Sequence, residues 1–539
     1  MADERSKQLA LASAILASSI AAVDASAVNV ALPAIGRDLG GGLAAQQWVS
    51  NSYLLTLGAF ILLAGSLTDR LGERRVFVAG VAGFGVGSLL CAAAPTTEVL
   101  IAARALQGLA GAVLTPAALA IIVAVFPKAE RGAAIGKWTA YGGIGILIGP
   151  LIGGQLVDVA SWRWIFALNL PLVAVALWLA ARAVPGRSGP PRAGRIDWGG
   201  AALAALALAG ISFGLIEQPV LGWSAVGVWG ALVVGVVSGV AFVRHEARTP
   251  DPMLPLELFA RRNFSVANAQ TFGMYGGIGI LGFFQTIYLQ QVAGYPALKA
   301  GVTGLVPTVI MFLFSARVGA MADRRGPRVF LTVGPFVVAA GLLLMTRFGI
   351  SVSFVSDVLP AMLLFSIGIA LTVAPLTATV LADADDSDAG IASAVNNAIA
   401  RSAALIAIAA IGGVVASHYA SALDAKLPAA LPASASGAVE QAKRRTFGQV
   451  DPARIPPAQR AEVRAASDEA SESSFHLAAE LGAGLLVASG LAGLLLRNPR
   501  CGPDSVPAED CPGGQLVGAP SALAREPVPV LRVPARAPT

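Results

Sequence analysis

The sequence predicts an all-α integral membrane protein of fourteen spans, arranged as two six-helix halves plus two inserted central helices. Three observations lead there. The 539 residues are 55% hydrophobic and 13% charged, with a mean hydropathy of +0.70, whereas a soluble domain carries about 25% charge. Apolar runs of about 20 residues, the length that crosses hydrocarbon, recur along the chain. One loop sequence occurs twice, with 254 residues separating Asp69 from Asp323.

The spans fall at roughly 10–32, 47–68, 75–94, 98–124, 134–157, 163–184, 198–216, 224–243, 265–289, 301–321, 328–347, 355–380, 390–416 and 476–496. Charge clusters or Pro and Gly separate them. The apolar run after the basic N-terminus continues to about Leu32 with no cleavage-site pattern before a soluble domain, so it reads as a first span and not as a signal peptide. Lys and Arg in short loops set orientation. Nineteen lie on the side of Arg5 and Lys7, against four on the other, Arg37, Arg163, Lys299 and Arg347. Both termini are therefore expected in the cytoplasm. The acidic cytoplasmic stretch 383–388 leaves this assignment intact, because acidic residues contribute little to the rule.

This gives an order of segments. Residues 1–9 form a cytoplasmic N-terminus and 10–184 a six-helix half. Residues 185–262 form an inserted two-helix segment with its linkers. Residues 263–496 form the second half, which carries a long extracytoplasmic loop at 417–474. Residues 497–539 are rich in Pro and Ala and read as a disordered cytoplasmic tail. The net charge of +6 is explained by topology, with no nucleic-acid motif beside it. Cys91, Cys501 and Cys511, and His245, His418 and His476, are too scattered for a metal site. No P-loop occurs, so ATP is not expected to act on this chain, and no cofactor is implied. Arg outnumbers Lys 32 to 6, which suggests a GC-rich bacterial source.

The repeated loop reads G-x-x-x-D-R-x-G. Its first copy holds Gly65, Asp69, Arg70 and Gly72, with Arg75 after; its second holds Gly319, Asp323, Arg324 and Gly326. Parallel six-helix repeats are one transporter architecture. They would offset the loop by six spans, and two inserted helices make the offset eight. A Gly permits close helix approach, and Asp and Arg beside a helix end can pair with a neighbour or its dipole. The loop therefore fits a conformational latch. One copy alone would equally fit a topogenic basic loop.

Several motifs resemble the major facilitator superfamily, specifically its fourteen-span drug:proton antiporter group, over roughly residues 10–416. Span 1 holds Val23-Asp24 and Asn29-Val30-Ala31-Leu32-Pro33; span 2 opens Gln47-Trp48 and continues to Asn51 and Tyr53. Span 4 holds Arg104 and Gln107-Gly108, similar to that group's proton-coupling motif. Span 5 holds Gly145, Gly149, Pro150, Gly153 and Gly154, similar to its exporter motif. Trp162-Arg163-Trp164 and Asn169-Leu-Pro171 also fit. The resemblance implies a major facilitator fold and proton-driven export from a bacterial plasma (inner) membrane. Where the group often shows a Gln and paired Gly after Arg401, this chain has Ser402-Ala-Ala-Leu405.

An ionisable group inside a span is a functional candidate by default. Asp24 is the one acidic residue placed well inside a span, and Arg104 and Arg401 are the basic ones. Burial disfavours a charged carboxylate. Asp24 is therefore expected to exchange a proton, in competition with a cationic substrate, with Arg104 modulating it. The alternative is a structural acceptor for a neighbouring helix. Asn29, Gln107, Tyr141, Asn397 and Arg401 are the expected cavity residues, though Asn29 and Gln107 equally suit interhelical bonds. Gly145, Gly149 and Gly153 make one smooth face for close packing between the halves, and Pro150 bends the helix. The expected function is proton antiport of small amphipathic, often cationic, drugs or antibiotics by a monomer in lipid. An exporter of one endogenous metabolite and a non-transporting membrane sensor are the alternatives.

Overall fold

The computed structural model describes residues 4–184, 186, 196–382, 389–428 and 431–498. The Asp69 side chain, the acidic stretch 383–388, and the tail with Cys501 and Cys511 lie outside them. Among the described residues the fold is helical without strands. The helices are α1 (Glu4–Leu39), α2 (Leu43–Leu71), α3 (Glu73–Ala92), α4 (Thr97–Val125), α5 (Lys128–Val159), α6 (Arg163–Ala183), α7 (Trp198–Leu221) and α8 (Val226–Glu246). They continue with α9 (Arg262–Gln291), α10 (Ala297–Val302), α11 (Leu305–Arg325), α12 (Arg328–Leu344), α13 (Leu359–Ala382), α14 (Ala389–Lys426), α15 (Ala433–Arg445) and α16 (Arg460–Gly493). Thirteen described stretches are long and apolar enough to cross a membrane, with α10 and α11 counted as one. The 32-residue α5 is a further helix of spanning length.

The helices α1–α6 pack on one another, as do α9, α11–α14 and α16. The two groups meet where α2 touches α14, α5 touches α10, and α1 touches α9. The pair α7–α8 packs chiefly on itself, with α7 leaning on both α2 and α14. Below, the near face is the one that carries the N-terminus and the far face is the opposite one.

The turns follow from local chemistry. Thr96 caps α4 by accepting from the Val99 amide at 3.4 Å, and Asp197 caps α7 by accepting from the Gly200 amide at 2.8 Å. Gly72 and Gly326 end α2 and α11 with φ of 92° and 82°, a conformation that only glycine adopts without strain.

The described residues of the expected extracytoplasmic loop 417–474 are largely helical. The helix α14 runs ten residues past 416, and α16 begins at Arg460, sixteen before the expected span. These extensions are polar but Ala-rich, so helix propensity sustains them beyond the apolar region. Tyr419, Leu423, Val463, Ala466 and Ala470 pack with Ala435, Ala438, Val439 and Ala442 of α15 into a small core on the far face. Phe447, at φ 62°, turns back into the bundle beside Phe284, Tyr288 and Tyr419.

Candidate functional site

Asp24 lies midway along α1 at 0% exposure, and Arg104 of α4 is 2% exposed. Arg104 Nη1 donates to Asp24 Oδ2 at 2.5 Å and to Gln107 Oε1 at 2.6 Å. Its Nε donates to the Val49 carbonyl of α2 at 3.2 Å. The spacing i, i+3 puts Arg104 and Gln107 on one face of α4. Gln107 Nε2 then donates to Asp24 Oδ1 at 2.9 Å and to Ser88 Oγ of α3 at 2.9 Å. Asn169 Nδ2 of α6 donates to Asp24 Oδ1 at 2.8 Å and to Ser88 Oγ at 3.2 Å. The guanidinium carbon stands 4.3 Å from the Tyr53 ring centroid and 5.8 Å from that of Phe166.

Two glycines make room for this cluster. A Cβ on Gly87 would stand 2.8 Å from Gln107 Cβ, and one on Gly108 would stand 2.9 Å from Tyr53 Cα. The backbones of α3, α4 and α2 therefore approach closely enough for the polar groups to meet. A buried pair survives when geometry and further hydrogen bonds satisfy both partners, and here three donors meet the Asp24 carboxylate. The cluster is sealed inside the first helix group. Direct competition between a substrate and a proton for Asp24, expected from sequence, has no open path in this conformation.

The second group holds amides where the first holds charges. Asn396 Nδ2 donates to Asn268 Oδ1 at 3.1 Å and to Thr271 Oγ1 at 2.7 Å. Gln270 Nε2 reaches the carbonyls of Leu331 and Ser489 at 2.6 and 2.9 Å. The sequence reading gave none of these residues a role, nor Asn169 or Ser88. The available signal was a carboxamide within an apolar span.

The expected cavity residues separate. Gln107 is 0% exposed and belongs to the Asp24 cluster. Asn29 is half-buried and accepts from Ser50 Oγ at 3.5 Å. Tyr141 is 54% exposed. Asn397 is exposed but bonds within its own helix, to the Ser393 carbonyl at 3.0 Å. Arg401 is exposed about a third of the way along α14. Its Cβ stands 3.5 Å from where a Cβ on Gly58 of α2 would be. An ionisable group within a span is a candidate for a cavity surface, because lipid is a costly surrounding for it.

The glycine motif divides, which corrects the sequence reading. A Cβ on Gly145 would stand 2.9 Å from the Ser19 carbonyl, one on Gly149 2.8 Å from that of Val23, and one on Gly153 3.0 Å from Ala27 Cα. All three pack α5 on α1, inside one group. Gly154, turned about 100° from Gly153 by helix geometry, faces the other group instead, where an added Cβ would stand 2.6 Å from Leu298 Cα. A Cβ on Gly301 of α10 would likewise stand 2.5 Å from the Pro150 carbonyl. Asp158 completes this far-face closure by accepting from the Ala297 and Leu298 amides at 2.9 and 2.8 Å. Gln290 Nε2 adds a bond to the Val30 carbonyl at 2.9 Å.

The repeated loops lie on the near face. Among the described residues, Gly65 and Gly319 have nothing within 4 Å of an added Cβ, so no close approach there requires them. Gly72 and Gly326 are required by their positive φ instead. Arg74 Nη2 donates to the Ala181 carbonyl in the last turn of α6 at 3.2 Å. Arg70 is half-buried, and Arg75, Asp323 and Arg324 are exposed. The second loop is capped by Asn498, whose Oδ1 accepts from the Arg328 amide at 3.1 Å.

Many long apolar helices packed in two groups define a multi-pass membrane protein. Known proteins place it further: the Major Facilitator Superfamily profile matches residues 14–409, and the chain belongs to that family. It is 36% identical over 412 residues to the puromycin resistance protein pur8 of Streptomyces alboniger, covering 74% of this chain and 80% of that protein. It is 35% identical over 411 residues to the multidrug resistance protein Stp of Mycobacterium tuberculosis, covering 76% of each. It is 31% identical over 454 residues to the tetracenomycin C resistance and export protein of Streptomyces glaucescens, covering 82% of each. Among solved structures, an inward-facing, unoccupied bacterial homologue of the human lysosomal transporter Spinster matches with a TM-score of 0.64. That match covers 92% of this chain and all of the other, at 15% identity, a likeness of fold alone.

Proposed function

We propose that this protein exports small amphipathic drugs or antibiotics from a bacterial cell by alternating access, driven by inward proton movement. The near face is then the cytoplasmic side of the plasma (inner) membrane. Residues 10–184 and 263–496 are the two rocking halves, with the inserted segment 185–262 between them. The resistance and export proteins among its relatives support the direction of transport and the kind of cargo.

The observation that carries proton coupling is the fully buried Asp24–Arg104 pair. A carboxylate and a guanidinium held in a dry core form a two-state element: paired and closed, or parted with a proton on Asp24. Parting moves a helix contact, because Arg104 also holds Val49 of α2. The drive is sufficient in size. One charge through 100 mV supplies about 2.3 kcal/mol, and each pH unit about 1.36 kcal/mol per proton.

The cationic preference expected from sequence needed Asp24 as an open counter-charge. With Asp24 sealed, the charge exposed to the cavity is Arg401, so the proposal takes amphipathic molecules with Arg401 as a recognition group. The test is dye and antibiotic efflux in inverted vesicles under an imposed pH gradient, with Asp24→Asn beside wild type. Loss of gradient-driven efflux with substrate binding retained is expected. Undiminished efflux in Asp24→Asn would remove the coupling assignment. Transport of a single compound out of a broad panel would favour an exporter of one endogenous metabolite.

A further inference from the structure

The base of the α7–α8 hairpin gathers three titratable side chains away from the Asp24 cluster. Glu246 ends α8 at 2% exposure, and the Asp197 side chain, capping α7, is 7% exposed. Their outer oxygens converge: a Cβ on Gly200 would stand 2.5 Å from Asp197 Oδ2 and 2.5 Å from Glu246 Oε1. Among the described residues, neither of these buried oxygens has a hydrogen-bond donor. The other two oxygens are occupied. Asp197 Oδ1 takes the Gly200 amide at 2.8 Å and lies 2.7 Å from His245 Nε2. Glu246 Oε2 accepts the Leu254 amide at 2.9 Å.

Two buried carboxylates cannot face each other while both are charged. A single proton between Oδ2 and Oε1 turns the repulsion into a hydrogen bond. We propose that Asp197 and Glu246 form a second proton-binding site, which ties α7, α8 and the linker into α9 together at the near face. The proton belongs on Glu246, donated to Asp197 Oδ2, because Asp197 already faces two donors and Glu246 one. Burial pushes the Asp197 carboxyl up, but the Gly200 amide and His245 outweigh it and hold it below its ordinary value. Among the described residues, the titratable groups that act on the pair are each other and His245. Against this base α2 sets apolar side chains, Leu63 and Leu67, among the described residues. Gly200 is needed because any side chain there would enter the space between the two carboxyls.

The stabilising proton is retained in the fold and lost from an unfolded Glu at its ordinary value. Stability from this site is therefore complete at low pH and falls as pH rises through the folded value. The test is the Tm of the full chain in lipid nanodiscs between about pH 5 and about pH 9, a range bracketing carboxyl and imidazole groups. Wild type is expected to lose Tm toward alkaline pH. Glu246→Gln replaces the proton with a permanent amide donor and is expected to abolish that fall. His245→Gln and Asp24→Asn are expected to keep it, which separates this site from the imidazole and from the coupling pair. Asp197→Asn makes the same replacement from the other side and serves if Glu246→Gln does not fold. A wild-type alkaline fall persisting in Glu246→Gln, or in Asp197→Asn where that substitute is used, overturns the proposal. Its disappearance in His245→Gln, with persistence in Glu246→Gln, assigns the effect to histidine and overturns it equally.

Discussion

Asp24 shows how far one side chain can organise its neighbours. Its carboxylate draws donors from α4 and α6, and Arg104 in turn holds α2. Removing one member leaves the other charged and dry. Arg104→Ala is expected to destabilise the protein by about 3–5 kcal/mol, read as a fall in Tm. The double replacement Asp24→Asn with Arg104→Gln is expected to recover most of that loss while abolishing proton-driven efflux. Equal destabilisation by both would mean the pair is not the source of the cost. Arg401 presents the opposite case, an exposed charge. Arg401→Gln is expected to leave Tm near wild type and to shift efflux away from acidic amphiphiles toward neutral and cationic ones. An unchanged substrate profile would remove Arg401 from the binding surface.

At the scale of elements, α5 separates two tasks along one helix. Gly145, Gly149 and Gly153 fix it to α1, while Pro150, Gly154 and Asp158 present its far end to α10. Asp158→Ala removes the acceptor of two backbone amides. It is expected to loosen the far-face closure without unfolding the bundle. A cysteine at Leu298, in a chain with Cys501 and Cys511 replaced by Ser, should then react faster with an impermeant thiol reagent added from the far side. An unchanged rate would show that Asp158 does not hold the closure.

Much of this was legible in the sequence, and the failures have physical reasons. Hydropathy located the spans because each must be apolar for about 20 residues regardless of its neighbours. Asp24 and Arg104 stood out because ionisable groups in spans are costly. The azimuth of the glycine face was not legible: a smooth stripe announces close packing but not which helix fills it. The extensions of α14 and α16 were missed because a hydropathy window ends where lipid ends, while an Ala-rich helix need not. Asn498 was missed because its partner, the Arg328 amide, lies 170 residues away.

For the whole molecule, the two helix groups are closed at the far face by α5 against α10 and joined laterally by α2 against α14. If transport proceeds by rocking, fixing the first contact must stop it. A disulfide between Asp158→Cys and Leu298→Cys is expected to arrest efflux, with a reductant restoring it. Full efflux with the bond intact would exclude rocking about this closure. The second contact has an additional fastening. Trp48 Nε1 donates to Glu217 Oε1 of α7 at 2.7 Å, and Gly413 of α14 abuts the Leu215 carbonyl of α7.

That fastening gives the molecule a handedness that a symmetric pair of bundles lacks. A door strapped along one jamb swings from the other. If the halves rock, α7 bridging α2 and α14 puts the wider excursion on the opposite flank, beside α5 and α11. Cargo dissolved in the membrane would enter from that flank, and the strapped side would carry the lateral seal.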